Sequence, residues 1–139
     1  VRRETTPERV VLYFDGGARG NPGPGYGSFR LEFSNGAVEQ ERIEFGEQLT
    51  NNQAEYRTLI AALETLIERL EQQGTSPGTV AVDVHTDSEL VVEQLRGSYK
   101  VRNPILRTLH ERVRQLLGRF ATWEVHWQPR EVIYGHFGH

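Results

Sequence analysis

Residues 9–27 read RVVLYFDGGARGNPGPGYG, and this stretch decides the fold. Arg9 to Phe14 is a short apolar run of β-branched and aromatic residues, the pattern of a buried strand. Asp15 stands at its end, where a glycine-rich turn begins. The turn resembles a phosphate cradle only superficially. It lacks G-K-[ST], and the segment after it alternates like a strand instead of opening a helix.

Outward from this stretch, Tyr26 to Phe33 alternates apolar and polar residues, as a half-buried strand does. Asn35-Gly36 is a two-residue hairpin signal, and Ala37 to Phe45 supplies the return strand. Thr50 to Gln73 reads as a long helix. It opens with a T-x-x-Q capping box at Thr50 and Gln53, and Gly74 stops it. Leu59, Ala62, Leu63, Leu66, Ile67 and Leu70 form its apolar stripe. Thr79 to His85 is a β-branched strand, and Ser88 to Leu95 a short helix ended by Gly97. Asn103-Pro104 starts another helix, with Leu106, Leu109, Val113, Leu116 and Leu117 facing inward. Thr122 to Trp127 is the last strand. The order βββαβααβ predicts an α/β fold with a five-stranded mixed sheet flanked by helices, three strands antiparallel and then two parallel.

The 139 residues fit one domain over 1–139, with a flexible polar start at 1–8 and an atypical tail at 132–139. With no cysteine, disulfides, thiolate metal sites and a cysteine nucleophile are excluded. No run approaches the ~20 apolar residues of a membrane span, and no signal-peptide pattern opens the sequence. A monomer in the cytoplasm, with no membrane partner, is the expectation. The net charge of −3 argues against a polyanion partner, but its distribution does not. Residues 1–95 hold eight basic and sixteen acidic side chains, whereas 96–139 hold eight basic and three acidic. That asymmetry fits either a polyanion-binding face or a solvated arginine-rich helix.

Three carboxylates fall where burial is costly. Asp15 ends the first strand, Asp87 ends the strand TVAVDVHT, and Glu55 lies in the first turn of the long helix. Each has an ordinary explanation: a turn former, a helix cap, a residue favoured at a helix N-terminus. If the two strands are neighbours, the three acids share one rim of the sheet and repel until they bind protons or cations. Oxygen-only ligands favour Mg²⁺ or Mn²⁺. Two such ions about 4 Å apart activate water and stabilise the leaving oxygen in phosphodiester cleavage.

YFDGGARGNPGPGYG, TNNQAEYRTLIAAL and HTDSELVVEQL together resemble the three motifs of type 1 ribonuclease H, in order and spacing. The resemblance covers roughly residues 9–131. It implies an endonuclease that cuts the RNA strand of RNA–DNA hybrids with two divalent ions, leaving 3′-hydroxyl and 5′-phosphate ends. It places metal-binding carboxylates at Asp15, Glu55 and Asp87. It assigns RNA-side contacts to Gly16, Asn21, Asn51, Asn52 and Gln53, and DNA-phosphate contacts to Thr50 and Asn103. Reading 2′-hydroxyls in a shallow minor groove suits amide side chains. SYKVRNP is too short for the basic protrusion of some family members, which leaves Arg107, Arg112, Arg114 and Arg119 as a substitute.

The resemblance breaks at the fourth carboxylate. WQPRE (127–131) matches the start of a PREEN-x-x-AD pattern, whose aspartate position falls at Phe137. GHFGH (135–139) instead matches a G-H-x-G-H loop preceding that aspartate, and there His136 matches a histidine that assists turnover. Three readings remain open: a truncated sequence; a site in which His136, His139 or Glu131 substitutes; or a weakened or inactive hybrid-binding module. The family's C-terminal helix is also absent from this reading, so the sheet face it covers falls to Tyr134–Phe137 or to a partner.

Overall fold

The computed structural model describes residues 8–138; most of the expected flexible start, 1–7, and His139 lie outside the described residues. The elements are β1 (Glu8–Ala18), β2 (Gly23–Glu32), β3 (Val38–Leu49), α1 (Asn51–Gln72), a 3₁₀ turn (Pro77–Thr79), β4 (Val80–Thr86), α2 (Glu89–Arg96), α3 (Pro104–Leu117), β5 (Thr122–Trp127) and α4 (Arg130–His136). One sheet runs in the order β3-β2-β1-β4-β5. The β1–β2 and β2–β3 pairs are antiparallel, and β1–β4 and β4–β5 are parallel. This is the expected mixed sheet.

Alternation along β1 assigns its two faces. Leu12 and Phe14, with Phe29 and Leu31 of β2, pack under α1, whose Leu59, Leu63, Leu66 and Leu70 are fully or almost fully buried. Burying each such side chain contributes about 1.5–3 kcal/mol. Val113 and Leu117 of α3 complete this core. Val11, Tyr13 and Asp15 belong to the opposite face, where Ile133 and Phe137 of α4 close over Tyr13 and Val11.

Three local expectations change. β1 continues through the glycines to Ala18, because Gly16 and Gly17 pair with Gly27 and Tyr26 of β2. The β2–β3 turn is longer than two residues: Gly36 N–H donates to the Phe33 carbonyl, Phe33 N–H to the Ala37 carbonyl, and Gly36 alone has positive φ. That is a type I turn with a left-handed glycine, the three-residue alternative to a two-residue loop. The tail is not helix-free, since Arg130–His136 forms α4. Its signals were weak in sequence. Pro129 caps it without a side-chain bond, and Gly135 interrupts its second turn. Phe137 nevertheless covers the face assigned to the aromatic tail.

Candidate active site

The β1–β4 register builds the site. Tyr13 pairs with His85, so the same parallel register continued two residues sets Asp15 level with Asp87. Asp87 lies just past β4, and Ser88, not Asp87, caps α2 by accepting from Val91 N–H. The capping explanation for Asp87 therefore fails, and its carboxylate stays available for the rim. Glu55 is the fifth residue of α1, just past the first turn in which it was expected, and no acidic residue occupies that turn. Its explanation as a favourable charge at the helix start weakens accordingly. Gly16 brings α1 close: a Cβ there would stand 2.6 Å from the Ala54 carbonyl oxygen and 2.7 Å from Glu55 N. Only glycine lets β1 and the start of α1 touch backbone to backbone.

The electrostatics are those of crowded acids. Burial, more than any charge, raises the Glu55 pKa to about 7; Ser88 opposes this by hydrogen bonding, while Asp87 and Asp15 add to it. Burial followed by Asp87 raises Asp15 to about 6. Glu55 Oε2 is buried with no hydrogen-bond partner. A buried carboxylate oxygen without a donor, flanked by two more carboxylates, is the donor chemistry of a hard divalent cation. Asp15, Glu55 and Asp87 fit such an ion.

The glycine-rich turn is fastened to α1. Asn21 Oδ1 accepts from Asn51 N–H (3.0 Å), and Asn51 Oδ1 accepts from Ala18 N–H (2.9 Å). Each bond uses the amide oxygen and leaves the NH₂ group as the donor. Thr50 and Gln53 form the expected capping box. Asn52 is exposed beside it. Gly16, Asn21 and Asn51–Gln53 thus gather next to Asp15 and Glu55. Asn103 instead caps α3, accepting from Ile105 and Leu106 N–H.

His136 is not brought into the carboxylate group. Its ring stacks on Tyr13 at 3.8 Å between centroids, and neither the Asp15 nor the Glu55 shift involves it. Glu131 is exposed, and Phe137 is buried with Tyr13 and Ile133. Two neighbours were missed by sequence reasoning. Arg130 Nε lies 3.3 Å from Asp87 Oδ2, its side chain 70% exposed. Trp127 Nε1–H donates to the Asp87 carbonyl (3.2 Å). The WQPRE match flagged both residues but gave no direction for their side chains. Beside Asp15, a groove of about 440 Å³ runs between Tyr26, Ser28, Arg42 and α4. The four arginines expected on the last helix are largely engaged within the fold, and Arg119 lies past the end of α3 at Leu117. Arg112 reaches Glu64, Arg119 reaches Glu71, Arg114 lies over Trp123, and Arg107 donates to the Val101 carbonyl.

A family model described as reverse transcriptase-like matches residues 34–134. The chain is 38% identical over 122 residues to ribonuclease HI of Halobacterium salinarum, covering 88% of this chain but only 57% of that protein. It is 32% identical over 146 residues to ribonuclease H of Erythrobacter litoralis, covering 95% of this chain and 87% of that one. The crystal structure of LC11-RNase H1 in complex with RNA/DNA hybrid is 34% identical, covers 88% of this chain and 87% of its own, and superposes with a TM-score of 0.78. With the β3-β2-β1-β4-β5 sheet and the carboxylates at its rim, these likenesses make the chain a member of the type 1 ribonuclease H family.

Proposed function

We propose that the protein is an endoribonuclease that hydrolyses the RNA strand of RNA–DNA hybrids, leaving 5′-phosphate and 3′-hydroxyl ends, and that it works as a cytoplasmic monomer. The observation that carries this reading is the Asp15–Glu55–Asp87 corner, where two carboxyls are raised and Glu55 Oε2 has no partner. Two Mg²⁺ or Mn²⁺ ions bound there would activate the attacking water and offset charge on the leaving oxygen. The chain's own residues do the rest. Gly16 and the capping box set the depth of Glu55. The amide groups of Asn21, Asn51, Asn52 and Gln53 face the RNA strand of a hybrid laid along α1's start. Thr50 meets a DNA-strand phosphate, and Asn103, capping α3, meets another. His136, stacked on Tyr13, assists turnover as the family resemblance implies. No helix among the described residues is long and apolar enough to cross a membrane.

The test is a labelled RNA–DNA hybrid with Mg²⁺ or Mn²⁺, and Asp15→Asn as control. Cutting of the RNA strand by the wild type alone is expected. Binding of the hybrid without cutting, with either ion, would make the protein the non-catalytic binding module instead.

A further inference from the structure

Four metal-type side chains lie on the sheet face that α4 partly covers, beside Val11 and Tyr13 of β1. Asp83 and Glu124 pair across β4 and β5, and so do His85 and His126, two residues further along. The sequence carries them as D-x-H at 83–85 and E-x-H at 124–126, so the period of two sets all four on one face. Ligand atoms of Asp83, Glu124 and His126 all lie within 4.8 Å of one another. The His85 ring stacks on His126 at 4.9 Å. Asp83 Oδ1 and His85 Nδ1 are both buried and lack a hydrogen-bond partner. Asp83 and Glu124 lie four residues of strand, at about 3.3 Å each, below the level of Asp87, and His85 and His126 lie two residues below it.

We propose that Asp83, Glu124 and His126 form a binding site for a late first-row divalent metal ion such as Zn²⁺, with His85 beside it as a fourth donor or as the ring that fixes His126. Two carboxylates and an imidazole are a transition-metal donor set, in contrast to the all-oxygen set at the rim. A cation is already drawn to this spot. Arg9 pairs with Asp83 and lies 4.0 Å from Glu124, while its side chain is 55% exposed and has room to swing away. Arg9 is then a competitor that occupies the carboxylates until metal displaces it. The bound ion would tie β4 to β5, the edge strand, and stabilise that side of the sheet.

The test uses the full chain with Asp15→Asn, Glu55→Gln and Asp87→Asn, which removes the rim site from the count. Zn²⁺ titrated calorimetrically should bind at one site per chain and raise the melting temperature. His126→Gln or Asp83→Asn in that background should weaken binding roughly tenfold or more. Arg9→Ala should strengthen it several-fold, an outcome that misfolding does not mimic. His136→Ala with His139→Ala should leave the Zn²⁺ site in place, since His136 stacks on Tyr13 beside His85 without belonging to the donor set. Zn²⁺ binding that survives His126→Gln and Asp83→Asn, or is lost with the tail histidines, overturns the proposal. So does Zn²⁺ binding that does not tighten on Arg9→Ala, or an absence of Zn²⁺ binding in the parent chain.

Discussion

Acidic side chains on the two ends of α1 meet opposite fates. Toward its C-terminal half, Glu64 and Glu71 lie 3.3 and 3.4 Å from Arg112 of α3 and from Arg119 in the turn just past it, each side chain about half exposed. At its start, Glu55 is buried beside Asp15 and Asp87, and the cation that approaches the group is the exposed Arg130. The first arrangement is the ordinary one, in which water and a partner keep each charge cheap. The second stores repulsion that a bound cation relieves. The difference separates a charge that serves the fold from one that serves a ligand, and it can be broken or sharpened by mutation.

The largest effect should come from the rim. Asp15→Asn keeps the shape of the side chain and removes a charge that a cation needs. Hybrid cleavage should fall on the order of 10³-fold or more, measured as single-turnover cutting with saturating Mg²⁺ or Mn²⁺. Near-wild-type cutting would mean that the crowded corner is not the catalytic one, and the contrast with the α1–α3 pairs would lose its meaning.

Gly16→Ala tests the geometry that creates the crowding. The added methyl meets the backbone of Ala54 and Glu55, which has no flexible side chain to move aside. The loss should be about 2–3 kcal/mol by urea denaturation, together with weaker cutting as Glu55 is pushed from the rim. Unchanged stability would show that the strand–helix contact is looser than the close approach implies.

The third effect has a sign set by linkage. The folded pKa of Glu55, about 7, lies above its ordinary 4.5. The folded state therefore holds more protons between those values, and metal-free stability falls as pH rises through that window. Glu55→Gln removes the penalty. The variant should be more stable than the metal-free wild type by about 1–2 kcal/mol at pH 8, and the gap should close near pH 4–5. Melting curves at both pH values, with and without Mg²⁺, check this. A gap that persists at low pH would assign the gain to packing.

The contrast also marks what was legible in sequence. The apolar stripe of α1, the T-x-x-Q box and Asn103-Pro104 are local signals, and the structure places those elements within a residue or so of the expected bounds. Asp15 and Asp87 were found because each follows an apolar run, although β1 itself continues past Asp15 to Ala18. Glu55 falls just past the first turn in which it was expected, and its burial was not legible, since a capping box fixes where a helix starts but not how the next residues meet a neighbouring strand. α4 was missed for a related reason. It is held by Ile133 and Phe137 packing on Tyr13, a contact more than a hundred residues apart in sequence, and its own residues carry no cap. The charge asymmetry was legible as a number only. The partners of Arg112 and Arg119 lie on another helix, beyond the reach of composition.

The smallest effect belongs to those pairs. Each is a single contact of 3.3 or 3.4 Å between half-exposed side chains, so solvent screens it and side-chain entropy offsets what remains. Arg112→Ala should cost under about 0.5 kcal/mol in urea denaturation, less still in high salt. It should leave Mg²⁺-dependent cutting within about twofold at moderate ionic strength, provided that Arg112 is engaged with Glu64 and not with the hybrid. A loss of hybrid affinity that grows as salt is lowered would reverse that assignment. Arg112 would then leave Glu64 for a phosphate, and α3 would be a polyanion-binding face after all.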